Sequence, residues 1–122
     1  MARVMHFEIP ADDPQRLITF FEKTFGWNFQ KWDGPVDYWL ISTGPQDAPG
    51  IDGGLGRREA GNSMVANTID VEDLDESIRQ VEANGGSITL PKMAVPGIGW
   101  MAYFKDTEGN IHGMMQSDPS AS

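Results

Sequence analysis

The chain repeats itself once. Residues 9–27, IPADDPQRLITFFEKTFGW, lie over residues 69–87, IDVEDLDESIRQVEANGGS, without a gap at an offset of 60 residues. Ile9 then meets Ile69, Asp13 meets Asp73, Ile18 meets Ile78, Glu22 meets Glu82 and Gly26 meets Gly86, while Phe21 meets the apolar Val81. These matches fall where a structural unit needs them: a residue that opens a helix, positions on one face of it and a glycine that ends it. A chain of 122 residues is one domain's worth, so the repeat implies one domain spanning 1–122, built of two similar modules at about 1–58 and 62–118.

Each copy opens as a strand. Met5, Phe7 and Ile9 alternate with Val4, His6 and Glu8, the period-two pattern of a half-buried strand. Asp13 supplies an N-cap and Pro14 suits the first helical position, which needs no amide hydrogen. Leu17, Phe20, Phe21 and Thr24 follow at helical spacing, widened by Ile18 and Phe25. In the second copy Val65, Ile69 and Val71 mark the strand, Asp73 with Glu76 a capping box, Ile78 and Val81 the buried face, and Gly85-Gly86 the helix end. Three strand-like segments come after each helix. They are WNFQKW, DYWLIST and GIDGGLG in the first copy, and SITLPKMAV, GWMAYFKD and NIHGMMQ in the second, the last two joined by the turn DTEGN. The unit is βαβββ, present twice, with GRREAGNS (56–63) as connector and SDPSAS expected to fray.

Bulk composition excludes several function classes. Eighteen acidic against nine basic residues give a formal charge of −9, which opposes nucleic-acid binding because phosphate contacts need a basic stripe. No cysteine is present, so there is no disulfide framework, thiolate metal site or cysteine nucleophile. No apolar run is long enough to span a bilayer, and the N-terminus lacks a signal-peptide pattern. A soluble, cytoplasmic protein with no membrane partner is expected. The 14 glycines and 12 aromatics suit a strand-rich fold with a lined cavity.

Two βαβββ modules, the stretch HFEIPADDP…FFEKTFGW and the closing YFKDTEGNIHGMMQ resemble the vicinal oxygen chelate superfamily, which contains glyoxalase I, bleomycin-resistance proteins and extradiol dioxygenases. The resemblance implies an α+β fold whose modules form a curled mixed sheet with a concave cavity, paired in a homodimer. It also implies a metal held by one His, Glu or Gln on each of four strands. The first position, seven residues before the helix-leading aspartate, is His6; its repeat partner is Ala66, which cannot coordinate. The fourth, four residues after the hairpin glycine Gly109, is Gly113. The second falls within GIDGGLGRRE, where the register is open and only Asp52 or Glu59 could coordinate. A catalytic metal needs about three protein ligands. The expectation is therefore no cofactor and no metal site, with a divalent metal at His6, aided by Glu8 and by Asp52 or Asp70, as the alternative. His6 is read as a pocket-facing histidine hydrogen-bonded to Glu8 or to a neighbouring strand.

The candidate ligand-binding residues are His6, Glu8, Trp39, Gly54, Trp100, Tyr103 and Gly113. Trp39, Trp100 and Tyr103 suit a flat platform for an apolar or aromatic small molecule, and equally suit core or interface packing. GIDGGLG lacks the Lys-Ser/Thr of a phosphate loop, so Gly53, Gly54 and Gly113 are expected to enlarge the cavity. His112 neighbours Gly113 and should point to the opposite, helix-covered face. If the chain is an enzyme, His6 and Glu8 are the catalytic acid–base couple of a glyoxalase-like lyase or isomerase or a dioxygenase-like enzyme. The leading expectation is a metal-independent small-molecule-binding protein of the glyoxalase/bleomycin-resistance type.

Overall fold

A computed structural model describes residues 2–122. The elements run β1 (Arg3–Ala11), α1 (Pro14–Phe25), β2 (Asn28–Lys31), β3 (Tyr38–Ser42), β4 (Gly53–Arg57), β5 (Ala66–Asp70), α2 (Leu74–Ala83), β6 (Ser87–Val95), β7 (Gly99–Lys105) and β8 (Ile111–Ser117). The βαβββ unit thus occurs twice, and both helices start as the caps dictate. Asp13 accepts the Arg16 amide and Asp73 the Glu76 amide, satisfying amides that the first turn leaves without helical partners. Gly26 closes α1 with φ of +72°, a left-handed conformation that costs a glycine little. The α2 end takes a further bond from outside the helix, the Leu74 amide donating to the Gln116 side chain on β8.

All eight strands form one sheet in the order β2-β3-β4-β1-β5-β8-β7-β6. Within each module the last strand lies parallel to the first, β4 on β1 and β8 on β5, and the modules join where β1 and β5 pair antiparallel. Both helices cover the same face. Ile9, Ala11, Ile41 and Leu55 pack with Ile18 of α1, and Ala102 and Met114 pack with Leu74 of α2. A third cluster, Ala66, Tyr103 and Ile111 with Leu90 and Met101, lies on the helix-free face.

The expected curled sheet around a concave cavity is not what forms. The sheet is open: β2 and β6 end the strand order and do not pair with each other. Each module places its inner strand at the seam and its hairpin strands outward, so the two free edges are held at opposite extremes. Neither edge is built for closure. β2 has only four residues, while β6 carries Pro91 and two register shifts, features that break ladder pairing. Nor does the C-terminal tail fray. Ala121 is buried, its carbonyl accepts the Gly97 amide, and Asp118 accepts from Ser120 and from the Trp100 indole.

The turn DTEGN is organised by one carboxylate. Asp106 accepts from the Glu108 and Asn110 amides, the Asn110 carboxamide and, at 2.8 Å, from His112 Nε2. Gly109 takes φ of +83° to complete the turn. His112 stacks on Phe104, its β7 partner. The hydrogen bond from His112, with those from the turn, holds the Asp106 carboxyl well below the usual carboxylate range. A group whose folded value is depressed adds stability above its unfolded value and loses it as pH falls toward the folded one. Asp106→Asn should therefore lower Tm at neutral pH and flatten the loss of stability below about pH 4, measured by thermal denaturation across pH. An unchanged acid limb would contradict this role.

Candidate functional site

The register of the sheet sets out the helix-free face in two rows. One row runs Gln30, Leu40, Gly54, Glu8 and Ala66 across β2, β3, β4, β1 and β5. In the adjacent row His6 faces Thr68, Thr68 faces Gly113, and Gly113 faces Tyr103 across β1, β5, β8 and β7, with Asn28 opposite Ser42 at the β2 end. Neighbouring strands lie about 4.8 Å apart, so side chains in one row are near enough to form a single surface.

At its centre stands a hydrogen-bonded unit. His6 Nε2 lies 3.0 Å from Glu8 Oε1 and 3.2 Å from Tyr38 Oη. The Tyr38 hydroxyl donates to both Glu8 oxygens, at 2.8 and 3.1 Å. The Glu8 side chain is only 12% exposed, and a carboxylate this buried needs such partners to remain acceptable. Burial, reinforced by the adjacent Glu8 carboxylate, drives the Tyr38 phenol far above the usual tyrosine value, so Tyr38 is a neutral, permanent donor. Trp32 meets its ring edge-on. In neutral His6, the Nε2 proton directed at Glu8 leaves Nδ1 as an acceptor, and Nδ1 has no partner among the described residues.

Gly54 makes this arrangement possible. A Cβ there would fall on the Tyr38 hydroxyl. The second module shows the same relation, for Tyr103 packs beside Gly113, where an added Cβ would meet the ring and Thr68 Oγ1 at 3.3–3.6 Å. The expected enlargement of a cavity at Gly53, Gly54 and Gly113 therefore does not occur. Phe7 occupies the space at Gly53 and Tyr38 that at Gly54, while Tyr103 and Thr68 stand at contact distance from Gly113. Tyr103 is 2% exposed, and burial together with Glu8 and Glu59 raises its phenol well beyond the usual range. Thr68 is buried and its hydroxyl has no partner among the described residues.

The sequence-derived candidates divide between the two faces. His6, Glu8, Gly54, Tyr103 and Gly113 share the helix-free face. Trp39 and Trp100 do not: Trp39 packs in the α1 core and Trp100 in the α2 core, where its indole also bonds Asp118. An aromatic platform of three rings is therefore not assembled. Four residues escaped the sequence reading. Tyr38 adjoins Trp39, so DYWLIST shows an aromatic on each face and only pairing with β4 distinguishes them. Asn28, Gln30 and Ser42 line, with His6, Leu40, Asp52 and Gly53, a solvent-open cleft of about 280 Å³. The alternation of WNFQKW, with Asn28 and Gln30 opposite Phe29, was the available signal.

These donors do not fit a metal centre. Of the positions the resemblance assigns, His6 carries a ligand and Ala66 and Gly113 do not, while the second lies in a segment where only Asp52 or Glu59 could coordinate. Asp52 is engaged by Thr43 and Gln46. Among the described residues no three His, Cys, Asp or Glu side chains converge. The Tyr38–Gly54 contact is directly testable. Gly54→Ala should destabilise the chain by about 1–3 kcal/mol through overpacking, and by much less in a Tyr38→Ala background, read as a double-mutant cycle in denaturant. Equal effects in the two backgrounds would refute the contact.

Three comparisons bear on this architecture. A "Glyoxylase-like domain-containing protein" of Didymella fabae is 32% identical over 115 residues, covering 90% of each chain. The hypothetical protein BH1468 of Bacillus halodurans C-125 shares the fold with a TM-score of 0.69 at 12% identity, covering 99% of this chain and 98% of that one. Methylmalonyl-CoA epimerase from Mycobacterium tuberculosis does so with a TM-score of 0.64 at 14% identity, over 94% and 87%. No helix among the described residues is long and apolar enough to cross a membrane. The profile of the Glyoxalase/Bleomycin resistance protein/Dioxygenase superfamily matches residues 3–111, and the chain belongs to that superfamily.

Proposed function

We propose that the chain is a metal-independent small-molecule-binding protein whose ligand lies on the helix-free face beside His6. The observation that carries this reading is the His6–Glu8–Tyr38 unit. It joins Glu8, Tyr38 and His6 in one hydrogen-bonded unit and leaves His6 Nδ1 as an acceptor without a partner among the described residues. A cleft of about 280 Å³ adjoins it on the β2 side, near the lower end of the range for ligand pockets. Such a site binds through directional hydrogen bonds, with the rigid strands β1 and β4 fixing the geometry.

A second reading rests on the 3.0 Å His6–Glu8 contact. Imidazole and carboxylate at that distance form a couple able to take up and return a proton, as in a lyase or isomerase. In that case Glu8 orients the ring and Tyr38 holds Glu8, so both readings place the ligand at the same residues.

Metal analysis of the purified chain should find far less than one divalent ion per chain. A thermal-shift screen should return ligands that raise Tm in the wild type and lose their effect in His6→Ala and Tyr38→Phe. A stoichiometric divalent ion that disappears in His6→Ala would overturn the metal-independent reading. A screen without one stabilising ligand would overturn the binding site.

A further inference from the structure

The cleft beside His6 has a definite chemical character. Its polar side chains are the Asn28 and Gln30 carboxamides, the Ser42 hydroxyl, the His6 imidazole and the Asp52 carboxylate, with Leu40 as an apolar wall. Neither Lys nor Arg lines it. The one cation of β2, Lys31, alternates to the opposite face, where it lies over the Trp39 ring and pairs with Asp37. Asp52 already accepts from the Thr43 amide and hydroxyl and from Gln46, so most of its acceptor sites are taken up within the loop while its charge remains. Glu8 is likewise engaged, by Tyr38 and His6. An anion entering this cleft would meet carboxylates without a compensating cation, and a cation would have to share or displace the donors that Glu8 and Asp52 already hold.

The groups that remain free are neutral and two-sided. Asn28 and Gln30 stand two residues apart on one face of β2, about 7 Å along the strand, and neither carboxamide has a partner among the described residues. Each offers a carbonyl acceptor and an NH₂ donor. His6 Nδ1 supplies an acceptor at the inner end. From Gln30 to Glu8 the row crosses β3 and β4, a span of about 14 Å, with Leu40 beside Gln30 and the Tyr38 hydroxyl over Gly54 closing the inner part. The free groups therefore match a ligand of single-ring size that carries a donor and an acceptor side by side.

On the reading of the site given above, we infer that this cleft selects uncharged amide-type ligands, such as a carboxamide, lactam or ureide edge on a small ring, over carboxylates and cations of the same shape. Asn28 and Gln30 of the edge strand β2 are the specificity residues: they pair with the amide edge while the ring lies against Leu40 and its inner end approaches His6.

Three isosteric probes separate charge from shape: benzamide, benzoate and benzamidine. In ¹H–¹⁵N spectra, benzamide should shift the side-chain NH₂ signals of Asn28 and Gln30 and the His6 signals, and benzoate and benzamidine should bind at least about tenfold more weakly. Gln30→Leu or Asn28→Leu, on an exposed edge strand, should weaken benzamide about fivefold to tenfold each while leaving Tm unchanged. Tighter binding of benzoate or benzamidine at these residues overturns the ligand class but leaves the site beside His6 standing. No shift at Asn28, Gln30 and His6 with any probe also overturns the ligand class, and the His6→Ala thermal-shift comparison then decides the site separately.

Discussion

The antiparallel pairing of β1 with β5 is the contact on which the rest of the molecule depends. Its register sets Phe7 opposite Asn67, its own counterpart in the repeat, so the pseudo-two-fold axis between modules passes through that pair. Glu8 consequently faces Ala66, and His6 faces Thr68. A shift by one residue would turn every side chain of β1 to the other face relative to β5. It would bury His6 and Glu8 under α1 and expose Phe7 and Ile9. The seam therefore fixes which face is core and which is site.

Symmetry of the backbone combines here with asymmetry of the side chains. Across the axis, His6 and Glu8 in one module correspond to Ala66 and Thr68 in the other. The His–Glu pair of the central strands accordingly lies on the first-module side. Each module nevertheless repeats one packing device, a tyrosine from the neighbouring strand over an inner-strand glycine: Tyr38 over Gly54, and Tyr103 beside Gly113. Tyr38 is drawn into hydrogen bonds with Glu8 and His6, whereas Tyr103 closes the apolar cluster of Ala66, Ile111, Leu90 and Met101.

Much of the fold was legible because local signals agreed with one another. The Asp13 and Asp73 caps, the Gly26 stop, the alternation of MHFEI and the turn DTEGN each have a short-range cause, and each appears in the structure. The placement of His112 followed from strand parity. What failed to show was long-range. Whether the sheet closes depends on where two edges end up, and Pro91 in β6 was the one local sign against pairing. Trp39 and Trp100 looked like site residues because aromatic side chains serve cores and sites alike; pairing with Leu55 and Gln116 decides their face. Tyr38 and Gly54 are 16 positions apart, and their complementarity exists only once β3 is docked on β4. The glycines that read as empty space are instead the places where neighbouring rings fit.

A buried carboxylate can be neutralised by a metal or by hydrogen-bond donors, and on the proposed reading Glu8 relies on the second. The Tyr38 phenol and the His6 ring occupy the acceptor sites of Glu8 that a cation would otherwise take. The most direct measurement is the ¹⁵N chemical shifts of the His6 imidazole at about pH 8.5, where an ordinary imidazole is neutral, recorded with and without added Zn²⁺. Expected is a ring protonated at Nε2 with Nδ1 as acceptor, unchanged by zinc. A ring protonated at Nδ1, or His6 shifts that move stoichiometrically with zinc, would contradict the hydrogen-bonded site.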